Sequence, residues 1–283
     1  MNSITYQDVF KGFLNIWQRL RLRRLVLPVL VIAALLLLNS FQSIRSHTEL
    51  ESLVGLGKLE EASLGFAHKA EQTKVAHEAA LLWFQAAELA EMLHKDELAL
   101  SYYQQLILAD PLADLARQAR EQRALLYEKL GDFDALLHEY SELIKYYPQH
   151  EKQLWYRLRI AEGFLMAKRF AAAEDELAEI YQLAADDEQM KERILFDWAE
   201  VHFLAAQPKL AVKAYQKFLK HFPNSVLAGE AKLKLASSVE ALGYLGSAFQ
   251  LAEEAREIYP HKEVVDLRLK SMSKRAYQLA RTD

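Results

Sequence analysis

A pattern that returns every 37 or 38 residues constrains this chain more than any other feature. Its clearest copy is Leu195–Pro223, two short amphipathic segments separated by Gln207-Pro208, a dipeptide that breaks one helix from the next. Ala199 and Ala211 are small where the segments would approach, Trp198, Tyr215 and Phe218 supply bulk around them, and Pro223 stops the second segment. The unit is a helical hairpin. One hairpin leaves an apolar face uncovered, so further copies at constant spacing must stack on it.

With Glu192 as position 1, the alanines fall at positions 8 and 20, Tyr215 at 24, Phe218 at 27 and Pro223 at 32. The same register places Ala161 and Ala173, Ala87 and Ala99, and Ala236 and Ala248 at 8 and 20, and Gly131, Phe133, Tyr140 and Pro148 at 15, 17, 24 and 32. Six units begin near residues 43, 80, 117, 154, 192 and 229, followed by a capping helix over 264–283, apolar on Val265, Leu269, Met272 and Ala276. Small residues at 8 and 20 let the helices of a hairpin touch, and the larger groups fill the gap to the next one. The composition agrees: 52% apolar residues with only 9 Gly and 6 Pro in 283 residues favour helices over a turn-rich β fold.

The pattern resembles the tetratricopeptide repeat, whose usual length is about 34 residues. Gly131, Phe133, Tyr140 and Pro148 carry the likeness in one unit; Trp198, Ala199, Ala211, Tyr215 and Pro223 carry it in another. The period here is longer, and the usual Trp at position 4 is missing except for Trp83. The resemblance implies an all-α solenoid of about six hairpins over residues 43–263, with a concave surface that binds peptides or partner proteins. Transferred to this chain, the inward positions give Phe84, Glu88, Trp155, Arg159, Glu162, Arg193, Phe196, Asp197 and Glu200 as a protein-binding groove. The string Tyr215–Ala236 is similar to bacterial envelope members of the family, and those with a retained N-terminal anchor, like the ancillary translocon subunit, match the layout best.

The N-terminus supplies the anchor in this reading. Residues 1–24 hold Lys11, Arg19, Arg21, Arg23 and Arg24 against Asp8 alone, with Phe10, Phe13, Leu14, Trp17 and Leu20 at helical spacing, a basic amphipathic segment for the cytoplasmic membrane surface. Leu25–Leu38 is unbroken apolar sequence. It is shorter than the ~20 residues of a typical span, so the expected transmembrane helix extends over 25–42 with the arginines snorkelling. The basic flank puts the N-terminus in the cytoplasm and the repeats in the periplasm. A cleaved signal peptide is the rival, but no Ala-x-Ala-like site follows.

Chemistry is sparse. The absence of cysteine excludes disulfides, thiolate metal sites and a lipidated cysteine. A formal net charge of -4 without a basic stripe or interleaved aromatics gives no reason to expect nucleic acid. The histidines show no metal-binding spacing, His202 reads as a half-buried packing residue, and Asp186-Asp187-Glu188 reads as an acidic turn rather than a calcium loop. No phosphate loop or catalytic motif is present, so neither cofactor, metal nor small-molecule substrate is expected. The expectation is a membrane-anchored scaffold or chaperone-like adaptor of the inner membrane that binds envelope proteins or a translocon. The alternative is a structural accessory subunit docked through its transmembrane helix.

Overall fold

The computed structural model describes residues 47–184 and 186–279, and every regular element among them is an α-helix. The chain divides into two compact units, one ending at Tyr102 and the other beginning at Tyr103, within a single helix. The first unit holds α1 (47–55), α2 (Leu59–Gln72), α3 (Ala76–Met92) and the start of α4 (Asp96–Ala109). The second holds the rest of α4, α5 (Asp114–Leu130), α6 (Phe133–Tyr146), α7 (Gln153–Met166), α8 (Phe170–Leu183), α9 (Glu188–Leu204), α10 (Pro208–His221), α11 (Ala228–Ala241), α12 (Leu245–Ile258) and α13 (Lys262–Leu279).

The helices pair as hairpins, and one backbone device makes each turn. Gly57, His94, Gly131, Lys168, Ala206 and Gly243 all occupy register position 15, and all have positive φ, between 53° and 89°. A left-handed residue there lets the next amides bond back to the last turn, as Gly131 N does to Glu128 O and Asp132 N to Tyr127 O. Glycine takes this conformation freely, whereas His94, Lys168 and Ala206 hold it against the clash of their Cβ. The second helix then starts on local signals: Asp132 accepts from Ala135 N at the start of α6, and Pro208 opens α10, where its missing amide is no loss.

In the first unit, α2 packs on α3 through alanines. Ala62, Ala80, Ala86 and Ala87 are fully buried. Ser63 is buried among them because its hydroxyl donates to Ala86 O at 2.9 Å. In the second unit each helix from α5 to α12 packs on its successor. First helices of hairpins are covered from several sides, so α9 buries residues almost all round, from Ile194 to His202. Second helices lie outside, and α10 buries only Ala211, Tyr215 and Phe218, a stripe at i, i+4, i+7. Ala199 and Ala211 are both fully buried beside Tyr215 and Phe218. Burying an aromatic ring of this size contributes roughly 1.5–3 kcal/mol. The small alanines are what let the two helices close over those rings. Gly163 plays the same part between hairpins: a Cβ there would meet Leu136 Cδ2 at 2.7 Å. α13 covers the last hairpin with Val265 and Met272, both fully buried.

The anchored part of the expectation is corrected. Among the described residues, no helix is long and apolar enough to cross a membrane. The helices α2–α13 run from 14 to 18 residues, about 21–27 Å at the α-helical rise, against a hydrocarbon core of about 30 Å, and each carries charged or polar side chains. The expected basic segment 1–24 and span 25–42 lie outside the described residues. The fold of the described residues is an all-α, hairpin-built solenoid that contains no membrane-spanning helix. The inner-membrane and periplasmic placement, the likeness to anchored envelope members, and the docked-subunit alternative find no support among the described residues.

Candidate functional site

The expected groove residues separate by helix and by depth. Phe84 and Glu88 belong to α3 in the first unit, where Phe84 is half-buried and Glu88 is at the surface. Partial desolvation raises the Glu88 carboxyl above its ordinary range, and Glu91 adds to the shift. The other seven residues lie on α7 and α9 of the second unit.

Position along the repeat decides which of them reach solvent. Position 2 is open: Leu81 and Trp155 are 43% and 37% exposed, and the Arg193 side chain is 46% exposed. Position 5 is not. Phe196 is only 5% exposed and packs edge-on against Phe218 and Tyr215, with ring centroids at 5.5 and 6.4 Å. Three residues before the core alanine at position 8, it leans toward the second helix of its own hairpin. Phe196 is thus a core residue between α9 and α10, and no partner reaches it.

An ion-pair ladder centred on positions 6 and 9 of α7 and α9 runs from one first helix to the next. On α5, Glu121 takes Arg117 at 2.7 Å, Lys152 at 3.1 Å and the Tyr156 hydroxyl at 2.5 Å. Arg159 of α7 donates to Glu128 of α5, to Glu162 on its own helix and, at 3.3 Å, to the Tyr140 hydroxyl. Arg193 of α9 reaches back to Glu162 at 2.8 Å and along its helix to Asp197 at 3.0 Å. Glu200 accepts from the Tyr215 hydroxyl and from Lys234 of α11 at 2.5 Å. Burial opposes the charge of Arg159, but Glu162, Tyr140 and Glu128 override it and raise the pKa. Burial pushes Asp197 up to about 7; Glu162 and Glu200 add to the shift, and Arg193 opposes it.

Between α7 and α9 the ladder borders a cavity of about 500 Å³, lined by Trp155, Leu158, Arg159, Glu162, Met190 and Arg193 among others. Four of the expected residues, Trp155, Arg159, Glu162 and Arg193, meet here. Leu158 and Met190 make the floor apolar, and Trp155 stands at one wall, 5.9 Å from the Arg159 guanidinium carbon and 5.8 Å from Lys152 Nζ. The opposite rim comes from the first turn of α9, with Asp187 and Gln189. Sequence reasoning read that stretch as an acidic turn. The usable signal was the spacing of Asp187 before Met190, whose amide Asp187 caps at 2.9 Å. Asp197 and Glu200 sit beside the cavity on α9, buried to 3% and 9% exposure and held in the ladder.

Among the described residues no group of His, Asp or Glu is placed to hold a metal ion. His202, 7% exposed, has its Nδ1 at 3.1 Å from Gln207 Oε1 and lies 3.8 Å from Glu174. The arrangement offers recognition, with an aromatic wall, an apolar floor and a guanidinium with free donors, and no reacting centre.

Residues 193–225 match the family described as tetratricopeptide repeat. No curated protein matches the chain. Among solved structures, it is similar to PilW, described as a widely conserved type IV pilus biogenesis factor, with 14% identity and a TM-score of 0.54 over 79% of this chain and 96% of that one. It is also similar to a tetratricopeptide repeat protein from Parabacteroides merdae ATCC 43184, at 15% identity and a TM-score of 0.51, covering 81% of this chain and 99% of that one. At such identities the likeness establishes the fold alone.

Proposed function

We propose that this chain is a protein–protein interaction scaffold whose partner presents a peptide segment to the cavity between α7 and α9. The observation that carries the reading is the pairing of Trp155 with Arg193 across an apolar floor. Both are at least one-third exposed, whereas Arg159, Glu162, Asp197 and Glu200 of the ladder are packed away. An aromatic and an arginine are the side chains that most often dominate binding energy at protein interfaces. Glu162 spends its oxygens on Arg159 and Arg193, which fixes the guanidinium of Arg193 while leaving donors for a ligand acceptor.

The segment that fits has an apolar side chain for the floor and a carboxylate or carbonyl for Arg193. A cell-envelope owner for that segment has only the sequence resemblance behind it; the geometry bears on the segment's chemistry. Selection from a random peptide library on the full chain tests the reading. Enriched peptides should share an apolar residue next to an acid or a polar acceptor, and should be lost on W155A and R193A. Enrichment that both variants retain would refute it.

A further inference from the structure

α10 is charged unlike the second helix of any other hairpin. Its sequence carries Lys209, Lys213, Lys217 and Lys220 and no acid. The first three are four residues apart and share one face over about 12 Å of helix. The corresponding positions of the other second helices hold no Lys or Arg and include Asp134 and Glu142 in α6, Asp175 and Glu179 in α8, and Glu254 in α12. The fold therefore does not require cations there.

Other surface cations are drawn into pairs: Lys145 with Glu142, Lys191 with Glu188, Lys232 with Glu254, Arg157 with Glu176 and Glu179. Lys209 and Lys213 have no carboxylate partner among the described residues. Lys217 instead lies over the rings of Tyr181 and Trp198, at 5.2 and 5.8 Å. Beside the stripe is a cavity of about 190 Å³ between α9 and α10, with Leu195, Trp198 and His202 on one side and Leu210, Lys213 and Lys217 on the other. Leu210 is 44% exposed at its mouth. Glu174 of α8 accepts from the Nε1 of Trp198 at 3.5 Å. Trp198 and His202 are each two positions from Glu200, about 200° round the helix, so this cavity opens on the flank of α9 away from the ladder.

We propose that α10 forms a second docking surface, for an acidic protein segment that places carboxylates along Lys209, Lys213 and Lys217 and one apolar side chain in the cavity over Trp198. The charge of the occupant follows from the unpaired stripe, which only a negative partner complements. Its class follows from the cavity, which is below the roughly 300–1,000 Å³ of small-molecule sites and has an apolar floor suited to a side chain. Nucleic acid fits less well: Lys217 covers the Tyr181 and Trp198 rings that unpaired bases would stack on. The surface acts independently of the cavity between α7 and α9.

Fluorescence anisotropy on the full chain tests this with a short fluorescein-labelled peptide of Glu and Ala carrying one central Phe. The comparators are the same peptide with Ser in place of Phe and a single-stranded oligonucleotide. The Phe peptide should bind most tightly, weaken as salt is raised, and lose roughly tenfold in affinity on K213E/K217E. Both lysines are exposed, and far-UV circular dichroism checks that the variant folds. Leu210→Ser, which leaves the charge unchanged, should weaken the Phe peptide and not the Ser peptide. The proposal is overturned by absence of binding, by equal affinity for the Ser peptide, or by an oligonucleotide that binds as tightly. Loss on Trp155→Ala with retention on K213E/K217E would place the peptide between α7 and α9 and overturn it as well.

Discussion

Arg193 of α9 lies 2.8 Å from Glu162 of α7, and that one carboxylate also holds Arg159. The contact joins two hairpins at their first helices and sets the position of the guanidinium beside Trp155. Architecture and recognition thus share residues at this point: the pair that fixes the spacing of α7 and α9 also arms the cavity between them.

The close approach of α9 and α10 rests on two methyl groups. Ala199 and Ala211 are fully buried against Tyr215 and Phe218. Ala199→Leu should push the hairpin open and cost about 1–3 kcal/mol. Urea denaturation reads the loss, and an unchanged midpoint would reject the packing.

The hairpin turns carry a correctable strain. Ala206 has φ of 53° at the position where three other hairpins use glycine. Ala206→Gly relieves the Cβ clash, worth about 1–2 kcal/mol, and adds flexibility to the unfolded chain, worth about 0.4–1 kcal/mol in the opposite sense. The net expectation is a gain between about 0 and 1.6 kcal/mol, seen as a raised urea midpoint. A lowered midpoint would contradict it.

Glu139 is the most exacting charge in the fold. Only 1% exposed, it sits 3.3 Å from Arg120 and 3.1 Å from Arg123. Glu139→Ala would leave two arginines facing each other in a dry site and should cost about 3–5 kcal/mol. Asp134→Ala, which breaks the exposed pair with Arg169, should cost under about 1 kcal/mol. Similar midpoints for the two variants would contradict this ranking.

Asp197 gives the ladder a pH dependence. Its folded pKa is raised to about 7, against about 3.9 in an unfolded chain. Between those values the folded protein keeps a proton that the unfolded chain has released. The stabilisation is complete below about pH 4 and is lost as pH rises through about 7. Asp197→Asn never ionises, so its stability relative to the parent should improve by roughly 2–3 kcal/mol between about pH 5 and pH 8. Urea titrations at the two pH values measure the difference; a constant or narrowing gap would contradict the assignment.

Much of this was legible in the sequence, for physical reasons that differ by residue. Ala199 and Ala211 could be read because a tight helix crossing tolerates few side chains, and the register that found them repeats. Trp155, Arg159, Glu162 and Arg193 could be read as one face because they share helical periodicity. Phe196 was misread because position 5 lies between the open line at position 2, with the ion-paired positions 6 and 9 beside it, and the core line at position 8. Only the tilt of one helix on another decides which way such a residue leans. Glu139 and the hydroxyls of Tyr140, Tyr156 and Tyr215 were invisible, since their ion-pair and hydrogen-bond partners are 15 or more residues distant in sequence. The membrane span was inferred from an apolar run and its basic flank, and both lie outside the described residues.

The central claim is that a partner polypeptide occupies the cavity between α7 and α9. A photo-crosslinking amino acid at Gln189, exposed on the rim, probes it in cells that express the full chain. Val226, 89% exposed on the turn after α10, is the control position. The account predicts a discrete protein adduct from position 189, absent from position 226, that disappears when Trp155 and Arg193 are both replaced by Ala. No adduct, or one that persists in the double variant, would contradict it.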